Sequence, residues 1–145
     1  MRIILLTILL TMTVALPSLV SASEEGEHTA LDTSMDKMND AYRDLRRSIR
    51  DATEEQKPGY LALMEIMIKE AKAGKDMVPE KVAELPEAKQ ADMITAYKKE
   101  MDGLITELEE IFTLIEQNQF DEASTALRGL RTIKSEGHDR FRKED

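Results

Sequence analysis

The 145-residue chain contains no cysteine and no tryptophan, and only 4% of it is aromatic. Without cysteine there can be no disulfide, iron–sulfur cluster, thioether-attached cofactor or thiol nucleophile. An exported domain of this kind must then be held by its packed core alone. Histidine is also scarce: His28 and His138 are the only two, which narrows metal and acid–base chemistry. No Ser/His/Asp order, phosphate-cradling glycine loop or His/carboxylate set suited to zinc is present, so the reading is of a protein that is not an enzyme.

Positive charge is in deficit, with 20 Lys and Arg against 29 Asp and Glu and a formal net charge of −9. That balance argues against nucleic acid and anionic membrane surfaces, both of which need a basic footprint. It suits docking to a partner with a basic face, although acidity also serves solubility. Long apolar runs are missing except at the start. Met1-Arg2, the run from Ile3 to Leu16, Pro17 and the small-residue exit Val20-Ser21-Ala22 together read as a secretory signal peptide, residues 1–22. The run is shorter than the roughly 20 apolar residues that span a bilayer. Cleavage after Ala22 removes Arg2 and no acid, so −9 becomes −10. The mature chain, residues 23–145, is the size of one domain, expected to be soluble, monomeric and, in a bacterium, periplasmic.

What is abundant is helical periodicity. Residues 23–30, including His28, carry none and read as a flexible start. From Leu31 onward, Met35, Met38, Tyr42, Leu45 and Ile49 recur at steps of four and three. They form one apolar stripe roughly 80° wide on a helix spanning about 30–51. A second helix is expected from Pro58 to Ala73, broad-faced through Tyr60, Leu61, Leu63, Met64, Ile66, Met67, Ile68 and Ala71, with Gly74 capping it. Residues 74–86, with a glycine and two prolines, read as the connection between two halves. Met93, Tyr97, Met101, Leu104, Leu108, Ile111 and Ile115 mark a third helix over about 88–117. After Asn118-Gln119, a fourth helix N-capped by Asp121 is expected to run to Arg142 with the stripe Ala123, Leu127, Leu130, Lys134, His138 and Phe141. The fold class is all-α, an antiparallel up-down-up-down four-helix bundle. A three-helix array with an irregular second segment is the structural alternative.

Two stripe positions look odd for packing. Lys134 can lay its stem on apolar surface and keep its head in water. A lone histidine on an apolar face is more often a core or rim residue than a ligand, and a lone Met35 is an ordinary core methionine. Topology joins them. In such a bundle the start of the first helix and the end of the last share one end, and both residues sit at a depth of roughly 6–9 Å. A thioether and an imidazole facing each other across a core is the arrangement a six-coordinate haem iron requires.

These residues carry a resemblance. Ser34-Met35-Asp36-Lys37-Met38-Asn39-Asp40 resembles the opening segment of the soluble cytochrome b562 family, itself a standard up-down-up-down bundle. Residues 118–142, with Glu122-Ala123, Leu130-Arg131-Thr132 and His138 to Arg142, match its last helix in spacing. The resemblance implies a non-covalent b-type haem with Met35 and His138 as axial ligands. It implies Arg142 near the propionates, where a guanidinium suits a carboxylate. It places Met38, Met64, Tyr97 and Met101 along the pocket walls. Met101, Gly137 and Lys134 depart from the usual residues, and a mid-helix glycine costs about 1 kcal/mol relative to alanine. The implied function is periplasmic electron transfer with a redox partner. Both axial positions are filled by protein, and methionine raises the potential. Acid would weaken ligation by protonating the histidine. The alternative is a haem-free periplasmic binding protein, a stress sensor or chaperone, motivated by the acidic, methionine-rich helices and the altered pocket wall; Thr53-Glu54-Glu55-Gln56 also resembles, over one short polar match, the Thr-x-x-Gln motif of such proteins.

Overall fold

The computed structural model describes residues 29–142. The expected signal peptide, His28 and the segment 23–28 lie outside the described residues. Helix α1 spans Ala30–Ser48, α2 Lys57–Lys75, α3 Glu87–Glu116 and α4 Phe120–Phe141. There is no strand among the described residues.

The boundaries have local causes. Thr29 begins α1 as its N-cap: its Oγ1 accepts from the Asp32 N–H at 3.1 Å, and the Asp32 carboxylate accepts from the Thr29 N–H at 3.1 Å. This reciprocal pair satisfies two otherwise orphaned donors, so the helix signal starts earlier than the apolar stripe. Past Ser48 the chain tightens into a 3-10 turn, Ile49–Asp51, and a second one, Glu54–Gln56. Thr53 Oγ1 donates to Gln56 Oε1 at 3.2 Å, and that oxygen also accepts from the Tyr60 hydroxyl at 2.8 Å. The Thr-x-x-Gln segment is thus a turn that anchors a core tyrosine.

Two expected caps are replaced. Gly74 does not end α2; it lies buried inside the last turns of the helix, which continues to Lys75. Asp121 is not the N-cap of α4. The helix starts at Phe120 with Gln119 in the cap position and no side-chain bond, leaving Asp121 in the first turn, where its charge suits the helix dipole. Between α3 and α4, Asn118 turns the chain at φ 60°, a left-handed conformation asparagine tolerates better than most residues. The connection after α2 contains a 3-10 turn, Glu80–Glu84, with Val82 buried.

Each helix packs along the one before it, and α4 returns beside α1, giving the up-down-up-down bundle. The α1–α4 seam is the loosest of the four. Leu45, Met64, Leu108, Ile111, Ile115 and Leu127 are wholly buried and form the centre of the core. On α2, Ile66 is 43% exposed, so the apolar face of that helix is narrower than its sequence suggests. Among the described residues no helix is long and apolar enough to cross a membrane.

Candidate functional site

The loose seam opens at one end into a cleft of about 470 Å³, within the roughly 300–1,000 Å³ usual for cofactor and small-molecule sites. All four helices wall it. From α1 come Leu31, Met35, Met38, Asn39 and Tyr42; α2 contributes Met67; α3 contributes Tyr97, Glu100, Met101, Leu104 and Leu108. From α4 come Leu130, Ile133, Lys134, Gly137, His138 and Phe141, with Arg142 just beyond the helix. The helix directions explain this membership. The first turns of α1 and the last turns of α4 meet at the same end, and α2 runs toward it.

Of the residues singled out in the sequence, Met35, Met38, Tyr97, Met101, His138 and Arg142 all line this one cleft. Met64 does not. It is wholly buried in the bundle centre, one turn too deep on a helix that approaches the cleft only toward its C-terminus. Met67, one turn further along, reaches the wall instead. Both belong to the same apolar stripe, so periodicity could not choose between them. Asn39 was also missed. It accepts from Lys134 Nζ at 2.7 Å, a bridge across the α1–α4 seam that only the folded pairing reveals.

The floor and rim differ in character. Tyr97 and Met101 are buried, while Leu31, Met35 and Met38 are only partly covered. The Tyr97 hydroxyl donates to the Gly74 carbonyl at 2.8 Å, and burial pushes its pKa up to about 12. Its ring meets Phe141 edge-on, with centroids 5.3 Å apart, a favoured aromatic geometry. Arg140 sits over that phenylalanine, 5.4 Å from the ring centroid, and pairs with Glu100. Lys81, from the α2–α3 connection, donates to the Asp139 carbonyl at 3.2 Å. The end of α4 is therefore tied to both α3 and the connection.

His138 lies at the exposed rim. Burial of its inner side, then the charges of Lys134 and Arg142, lower its pKa from the usual 6.5, with Asp139 acting in the opposite direction. The imidazole is thus neutral at neutral pH and keeps a lone pair free for a metal. Deeper along the seam, the Tyr42 hydroxyl is buried without a hydrogen-bond partner, a state in which a polar atom normally has some partner.

These residues fit a haem. Apolar and thioether walls suit a macrocycle, the neutral imidazole and the thioether suit iron, and the rim cations Lys134 and Arg142 suit carboxylates. Among the described residues no three His, Cys, Asp or Glu side chains gather to hold a metal ion. No curated protein matches the chain in a sequence comparison. A family model described as cytochrome b562 matches residues 30–142, which takes in all four helices. The chain therefore belongs to the cytochrome b562 family of haem-binding, non-enzymatic electron-transfer proteins.

Proposed function

We propose that the cleft holds one non-covalent b-type haem between Met35 and His138, and that the protein is a periplasmic one-electron carrier. The observation that carries this reading is the convergence of Met35, from the start of α1, and His138, from the end of α4, on one four-walled cleft. When bound, the haem supplies a reversible one-electron iron couple whose potential a methionine ligand raises. Met35 offers a neutral, soft thioether that favours the reduced metal. His138 is held neutral by its surroundings, ready to ligate without first losing a proton. Met38, Met67, Tyr97 and Met101 exclude water from the inner faces. Arg142, at the rim of the cleft, would offer its guanidinium to the haem's propionate carboxylates.

Export rests on the N-terminal pattern, and the mature protein begins at Ser23. The carrier works as a monomer and meets a redox partner through a basic face on that partner, as the net charge of the mature chain, −10 once Arg2 is removed from a total of −9, favours. Haemin titration tests the central reading. The expected outcome is a one-to-one complex with a low-spin methionine/histidine spectrum, and loss of the methionine–iron band in Met35→Ala. A high-spin product, or an unchanged Met35→Ala spectrum, would refute this ligation. N-terminal sequencing of protein from a periplasmic extract checks the export claim.

A further inference from the structure

Five glycines lie among the described residues: Gly59, Gly74, Gly103, Gly129 and Gly137. At four of them a Cβ would meet nothing within 4 Å. Gly74 is the exception. It lies inside α2, where glycine costs about 1 kcal/mol relative to alanine, and it has no positive φ that would require a glycine. A Cβ there would strike the methyl group of Met35 and would sit 3.4 Å from Leu31 Cδ1 and 3.6 Å from Met101 Cε. The missing side chain is the seat in which the tip of Met35 rests.

The same residue is held from the other side. Tyr97 on α3 donates to the Gly74 carbonyl at 2.8 Å in a buried hydrogen bond, and the Tyr97 ring stands edge-on to Phe141 at 5.3 Å. Phe141 lies on α4, one turn beyond His138. A continuous path, Met35–Gly74–Tyr97–Phe141, takes one residue from each helix. It runs from the helix carrying one candidate ligand to the helix carrying the other.

We infer that Gly74 and Tyr97 are positioning residues that set where the Met35 thioether sits relative to His138. The inference rests on the proposed Met35/His138 ligation for its consequence, while its geometry belongs to the protein alone. A purely structural role is distinguishable, because the atom a Cβ would strike is the far end of a flexible side chain. Gly74→Ala can therefore fold by letting Met35 swing aside. Its helix gains propensity, and the loss falls on the position of the thioether.

The test uses Gly74→Ala and Tyr97→Phe, with Gly103→Ala as control. In the haem-free protein, the 13C-methyl resonance of Met35 is expected to move in Gly74→Ala and stay in place in Gly103→Ala, while the thermal midpoint of Gly74→Ala equals or exceeds that of the parent. After haemin addition, the methionine–iron band of Gly74→Ala should fall several-fold and the midpoint potential should drop. Tyr97→Phe should show the same changes to a smaller degree. An unmoved Met35 methyl, or an intact band and potential in Gly74→Ala, would overturn the positioning role. A parent protein lacking the band would sink the ligation reading instead, and the methyl resonance would still decide the positioning.

Discussion

At one end of the bundle Leu45, Ile49, Ile111, Ile115 and Leu127 are almost wholly excluded from solvent. At the other, the same helix faces continue as Leu31, Met35, Met38, Leu104 and Ile133, all only partly covered. The closed end is also laced by polar contacts. The Tyr60 hydroxyl, whose proton goes to Gln56, also lies 3.3 Å from the Ser48 carbonyl, and its ring meets Phe120 edge-on at 5.9 Å. Lys57 reaches the Glu116 carbonyl at 3.2 Å, and Asn118 reaches Glu54 at 3.1 Å. Across the cleft end, α1 and α4 are bridged through Lys134 and Asn39. The difference teaches that stability and ligand binding are divided along the bundle axis: one end is filled by its own side chains, and the other leaves its apolar faces short of partners.

The largest effects test that division directly. Leu127→Ala, at the closed end, should cost about 2–5 kcal/mol in urea denaturation of the haem-free protein. Met38→Ala, half-covered at the cleft, should cost about 1 kcal/mol or less, since little apolar area is lost from contact. Equal losses at the two sites would break the comparison. Tyr97→Phe should lower stability by about 1–2 kcal/mol, because its hydroxyl makes a buried bond to Gly74. A cost no greater than that of breaking an exposed pair such as Lys72–Glu109, measured in the same way, would contradict a stabilising role for this buried bond.

Smaller effects lie at the rim. Gly137→Ala should stabilise the haem-free protein by up to about 1 kcal/mol, read as a higher melting temperature, because a Cβ there meets nothing within 4 Å. The smallest effect is a pH dependence. The folded pKa of His138 lies below 6.5, so between that value and 6.5 the unfolded chain binds more protons than the folded one. Stability therefore rises with pH across this window and is lost on acidification through it. The loss should be slight because the ring is largely solvated. An NMR titration of the His138 ring protons should give a midpoint below 6.5, and a midpoint above it would contradict the local field described.

Much of this was legible in the sequence. The four-three rhythm located α1, α3 and α4, a proline start and a broad apolar run located α2, and together they gave the two ends of the chain that meet at the cleft. Chain direction alone put Met35 and His138 at one end. What could not be read was whether an apolar stripe finds a partner. Leu31, Met35, Met38 and Tyr42 keep the same spacing as Leu45 and Ile49, yet the first four are only half-covered and the last two are buried. Periodicity fixes which way a side chain points, and the separation of neighbouring helices decides what it meets. Met64 was placed on the wall by resemblance alone, and the approach of α2 to the cleft brings Met67 there instead. Gly74 was misread for a related reason, since glycine serves equally as a helix cap and as a place of close approach, and only the neighbouring α1 tells them apart. Thr29-x-x-Asp32 was a cap signal present in the sequence but hidden beside a patternless stretch.

The placement of Thr29 and Arg142 has a practical consequence. Both residues line the cleft mouth, so the polypeptide enters and leaves the bundle beside its candidate cofactor. A tag or fused domain on either side would crowd that opening and slow loading, whatever its own chemistry. The α3–α4 turn at Asn118 lies at the far end of the molecule, where an insertion would leave the mouth clear. Joining residues 29 and 142 by a short linker and reopening the chain at that turn would give a circular permutant whose new ends point away from the haem.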